Sequence, residues 1–163
     1  MGFTSKSLIL GFLLGVLSLN TSAQECSNER LTLTADQIKK LENAWGGAFS
    51  AHQEKLEEAF AKFKPSDYRA YAKYKVSDWL PKLNRNRSKM DCGWKTFGRP
   101  FDSDFQTIKS IVIAMTELNT VSIKMQSYLK SSNISDLKFI ESKLTELSAL
   151  SNPYKEFHPK PNK

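Results

Sequence analysis

Nine basic residues fall between Arg69 and Arg99: Arg69, Lys73, Lys75, Lys82, Arg85, Arg87, Lys89, Lys95 and Arg99. Only Asp78 and Asp91 oppose them, so the stretch carries +7. Tyr71, Tyr74, Trp79, Trp94 and Phe97 are threaded through it, with Tyr68 and Phe101 just outside. Guanidinium forks and ammonium groups hold anions, and arginine and aromatic side chains are the usual anchors of protein interfaces. The chemistry these types offer is recognition of something negative. The binding residues expected from this stretch are Arg85, Arg87, Lys89, Trp94, Lys95, Phe97 and Arg99.

Residues that could break bonds are sparser. The sequence has no P-loop, G-x-G-x-x-G, H-E-x-x-H, G-x-S-x-G or C-x-x-C-H, the spacings that mark phosphate, dinucleotide, zinc, acyl-enzyme and haem chemistry. Paired carboxylates, as in glycosidases, are set by space and leave no motif. Glu54, Glu57 and Glu58 cluster in one helical segment, where a solvated face is the plainer reading. Asp102 and Asp104 precede another, where a carboxylate meets the positive end of a helix. A cell-envelope polymer hydrolase using acids drawn from Glu54, Asp78, Asp91, Asp102 and Asp104 is the alternative function. His52 is a general base or ligand by type, but it has no second histidine at ligand spacing and reads as a partly buried, hydrogen-bonded side chain. A haem between His52 and Met115 or Met125 is set aside, because those methionines lie on a core stripe. No cofactor and no metal site are expected, and no catalytic residue is assigned.

The elements that must position these groups are helical. Thr34 is an N-cap and Gln37 completes a capping box, with Leu33 and Ile38 as a hydrophobic staple. Ile38, Leu41, Trp45, Phe49, Leu56, Phe60 and Phe63 then recur with helical period until Pro65. Gly46-Gly47 interrupts this face at about 1–2 kcal/mol of propensity, and either kinks the helix or admits a close neighbour. A second helix runs from Pro65 or Ser66 to Trp79 or Leu80, where Pro81 is expected to stop it. Lys82 to Phe101 is rich in turn residues and reads as a long irregular connection, a length usually tied to function. Ser103 with Gln106, or Asp102, caps a third helix carrying Phe105, Ile108, Ile111, Val112, Met115, Leu118, Met125 and Leu129. Asn133 or Ser135 caps a fourth, with Leu137, Ile140, Leu144 and Leu147 at bundle spacing. The fold class is all-α: a four-helix bundle-like domain with one long basic loop between helices 2 and 3, stapled by one disulfide.

The chain begins with one basic residue, Lys6, then an apolar run from Leu8 to Leu19 and small residues at Thr21 and Ala23. That is the order of a secretory signal peptide, and the run is shorter than the roughly 20 residues a bilayer span needs. Residues 1–23 are read as the signal peptide, 24–152 as the helical domain and 153–163 as a flexible tail. Without Lys6 the chain holds 23 Lys+Arg against 17 Asp+Glu, a net +6, so everything outside the basic stretch sums to −1. Two cysteines in an exported protein favour a Cys26–Cys92 disulfide, worth about 4 kcal/mol for so long a loop. The expected protein is a periplasmic or secreted, non-enzymatic binder: an inhibitor or immunity protein, an envelope accessory factor or a chaperone. Its partner is an acidic protein or an anionic envelope component. Nucleic acid is not expected outside the cytoplasm, and no span crosses the membrane.

Overall fold

A computed structural model describes residues 32–97 and 105–159. Every regular element among them is helical. Helix α1 is Ala35–Lys62. A short 3-10 turn, Pro65–Asp67, leads into α2, Tyr68–Tyr74. A π-helical segment, Lys75–Trp79, joins α2 to α3, Leu80–Phe97. Helix α4 is Gln106–Ser131 and α5 is Ile134–Ser151, with a 3-10 helix, Asn152–Phe157, continuing from its end. Helix α4 is the central column: α1, α3 and α5 all pack on it, and α1 also packs on α5.

The start of α1 is capped as its sequence predicts. Thr34 Oγ1 accepts from Gln37 N at 3.3 Å while Thr34 N donates to Gln37 Oε1 at 2.8 Å. Leu33 and Ile38 lie together against Phe105 and Ile108, so the staple also ties the entry of α1 to the entry of α4. The turn between α4 and α5 uses Ser132 in the left-handed region, φ 55°, where its N–H donates to Tyr128 O at 2.7 Å. Asn133 then caps α5 by accepting from Ser135 N at 2.8 Å. The inner stripes meet as Phe49, Leu56, Ile111, Met115, Leu118, Met125, Ile140 and Leu147, all essentially without exposure. At about 25 cal/mol per Å² of apolar surface, this burial is the main force closing the bundle.

The long basic loop between the second and third helices is corrected. From Lys82 to Phe97 the chain is helix. Pro81 does not stop it, because the preceding turn is wide: Leu80 N–H reaches back five residues to Lys75 O. Proline breaks a regular helix by removing an N–H and crowding the carbonyl four residues back. A π turn changes that register and is a usual site for such an irregularity. Tyr74, Lys75 and Leu80 all keep right-handed helical dihedrals through the junction, so α2, the π segment and α3 form one column about 45 Å long at 1.5 Å per residue. Trp79, Leu83 and Met90 are its buried side.

The flexible tail is also corrected, as far as Pro159. Asn152–Phe157 is a strap folded onto α1. Its seat explains Gly46-Gly47: a Cβ at Gly46 would fall inside the Tyr154 ring, and one at Gly47 onto the Phe157 carbonyl oxygen. The glycines admit a close neighbour.

Cys92 is the one cysteine among the described residues, so no disulfide closes within them; it is not a free thiol. Cys26, the signal peptide, Arg99, Phe101, Asp102, Ser103 and Asp104 lie outside the described residues.

Candidate functional site

The basic column presents two opposite sides. Trp79 and Tyr71 are buried and Tyr74 is packed on the core. Tyr71 OH donates to Ser122 O at 3.1 Å, and burial, more than the neighbouring Tyr74, pushes its pKa up. Trp79 Nε1 donates to His52 O at 3.3 Å. Trp94 turns toward the body as well, edge-on to Phe105 with ring centroids 6.3 Å apart. The described rings of the basic stretch therefore help hold the column to α1 and α4. Trp94, one of the expected binding residues, is half-buried there.

Outward, Arg69, Lys73, Ser77, Pro81 and Arg85 recur at four-residue steps, followed by Ser88 and Lys95, and all are exposed. Among the described residues, Arg69, Lys73, Arg85 and Lys95 take part in no ion pair. Lys82 is exposed and paired with Asp78 one turn back. Lys89 is half-buried; desolvation, and then the Arg85 charge, lower its pKa. Arg87 lies on the flank, with its Nε buried and no acceptor for it. Lys75 points inward, its Nζ 3.2 Å from Gln126 Oε1, and burial lowers its pKa.

The expected set thus divides. Arg85 and Lys95 stand on the outer ridge, with Lys89 half-buried in the same helix. Arg87 and Trp94 belong to the packed side. Phe97 ends α3, and Arg99 lies outside the described residues. Arg69 and Lys73, absent from the expected set, join the ridge because the helix does not stop at Pro81. Their four-residue spacing to Arg85 was a readable signal, hidden by treating the proline as a terminator.

Two histidines complete the polar inventory. His52 is buried, with Asn86 Nδ2 at 2.9 Å from its Nε2. In that bond the amide donates and the neutral ring accepts. Burial, and secondarily the Lys82 charge, lower its pKa to about 4. It is the hydrogen-bonded structural histidine expected from the sequence. His158 reaches back from the strap, its Nε2 3.0 Å from Ser50 Oγ and its Nδ1 3.8 Å from Glu54 Oε2. The residue types are those of a nucleophile, base and acid. Ser50, however, has no exposed surface for a substrate to reach, and 3.8 Å exceeds hydrogen-bond reach. The trio is a fastening of strap to helix.

Of the expected acids, those among the described residues are dispersed: Glu54 faces His158, Asp78 pairs with Lys82, and Asp91 is exposed on α3. Among the described residues no group of three or more His, Cys, Asp or Glu is placed to hold a metal. None of their helices is long and apolar enough to cross a membrane.

The chain matches no protein-family model, no curated protein and no solved structure.

Proposed function

We propose that this is an exported, non-enzymatic binding protein that engages an anionic partner through the outer ridge of the α2–α3 column. One observation carries the reading. Arg69, Lys73, Arg85 and Lys95 are exposed and, among the described residues, make no ion pair, in a chain whose other segments sum to −1 outside the signal peptide. An unneutralised row of cations with little net charge elsewhere is a directed field. It steers association and orients the protein on arrival.

Export through the residues 1–23 leader and a Cys26–Cys92 disulfide belong to the same proposal. An oxidising compartment outside the cytoplasm would suit both. With the described rings turned inward, the ridge offers no stacking platform for single-stranded nucleic acid. The roles compatible with this surface are an inhibitor or immunity protein, an envelope accessory factor and a chaperone. Paired-carboxylate hydrolysis gains no support from acids dispersed as these are.

The test is retention on an immobilised polyanion, such as polyglutamate, by the mature protein and by the variant Arg69→Glu, Lys73→Glu, Arg85→Glu, Lys95→Glu. The wild type is expected to bind and to elute as salt rises. The variant is expected to pass through with an unchanged thermal midpoint. Equal retention of the two would overturn the assignment.

A further inference from the structure

The ridge has a shape as well as a charge. Its exposed cations run from Arg69 to Lys95, about 39 Å along the continuous helical column at 1.5 Å per residue. Concave pockets that grip a single anionic group converge several donors on one point. Here the donors are strung out on a convex helix face, each a turn or more from the next. Among the described side chains no fully exposed ring accompanies them: Tyr71 and Trp79 are buried, Tyr68 and Tyr74 are partly buried on the core, and Trp94 is against Phe105. Protein partners are usually held by a few such desolvated anchors near the centre of the interface. Among the described side chains, the one large apolar group left outside on this column is Val76, 66 % exposed, within a turn of Lys73. Long basic side chains can lay their hydrocarbon stems along an apolar boundary while the charge stays in water.

We infer that the anionic partner is a membrane surface, with the α2–α3 column lying flat on a leaflet rich in acidic phospholipid headgroups and its Arg and Lys side chains meeting the phosphates. This rests on the proposed function and narrows it. Arginine and lysine near an anionic leaflet each add to adsorption, within a Debye length of the surface. A flat array of phosphates matches a linear row of cations without requiring any pocket. No helix among the described residues is able to cross the bilayer, so the attachment is peripheral and reversible by salt.

Cosedimentation of the mature, oxidised protein with vesicles tests this in three arms. The first uses phosphatidylcholine mixed with phosphatidylglycerol, the second phosphatidylcholine alone, and the third soluble polyglutamate measured by calorimetry. The expected result is binding in the first arm, at least tenfold weaker binding in the second, and loss of the first in molar salt. Arg69→Glu with Lys73→Glu and Arg85→Glu is expected to abolish the first arm, while Val76→Ser weakens it only a few-fold. Binding to polyglutamate without preference for acidic vesicles would overturn the membrane inference and leave the anion-binding function standing. Failure of both the first and third arms would overturn the two together. Equal binding to acidic and neutral vesicles would also overturn it, because charge would then not be the cause.

Discussion

His52 shows how a single residue ties chemistry to stability. It sits on the inner stripe of α1, accepts from Asn86 and lies edge-on to Trp79, with ring centroids 6.4 Å apart. Its pKa falls from the ordinary 6.5 to about 4 because burial opposes the charged ring. A histidine depressed in the folded state binds fewer protons there than in the unfolded chain. Its stabilising effect is therefore complete above pH 6.5 and is lost as pH falls toward 4, on the order of 3 kcal/mol. Denaturant midpoints measured from pH 7.5 to 4 should drop accordingly, and His52→Gln should flatten that part of the profile. A wild-type midpoint unchanged down to pH 4.5 would contradict it. The burial of His52 was legible in its place between Phe49 and Leu56. Its partner was not, because Asn86 reads locally as a turn residue.

At the scale of elements, α1 and α5 were legible because cap, period and terminator agreed in each, and α4 by its apolar period, its expected caps at Asp102 and Ser103 lying outside the described residues. The column through Pro81 was not. Pro81, Asn84, Asn86 and Gly93 each favour a break locally. Trp79, Leu83, Met90 and Trp94 nevertheless recur at helical spacing, and burying that stripe against α4 and α1 outweighs the propensities. Amides of Leu83, Arg87 and Met90 should exchange with deuterium as slowly as those of α5. Exchange at free-loop rates would restore the loop. The strap was illegible for a different reason: Tyr154 and Gly46 are each ordinary until placed face to face. Tyr154 is buried and its hydroxyl donates to Glu42 Oε1 at 2.8 Å. Tyr154→Ala should lower stability by about 3 kcal/mol. Gly46→Ala should do comparable damage, since the ring has to leave its seat, and Tyr154→Ala should then erase most of that further cost. Additive effects in this double-mutant cycle would mean the two sites do not touch.

For the whole molecule, the division of labour within one basic, aromatic stretch is what makes a contact surface. Among the described residues, Tyr71 and Trp79 are buried and Tyr74 and Trp94 packed against the body, fixing the column to α1 and α4. Arg69, Lys73, Arg85 and Lys95 remain exposed on the outer ridge. Composition announced an excess of positive charge, and its concentration between Arg69 and Arg99 was plain in the sequence. Which of those charges face outward required the helix, because Arg87 and Lys75 differ from Arg85 and Lys73 only in angle around the same axis. The account depends on location, and net charge alone would not produce it. The most direct test compares two variants of equal charge. One carries glutamate at Arg69, Lys73, Arg85 and Lys95; the other carries it at the exposed Lys40, Lys130, Lys138 and Lys155, away from the column. Titrated against acidic vesicles and polyglutamate at fixed salt, the second should bind within a few-fold of wild type and the first should not bind measurably. Equal losses in the two variants would show that the ridge is no site at all.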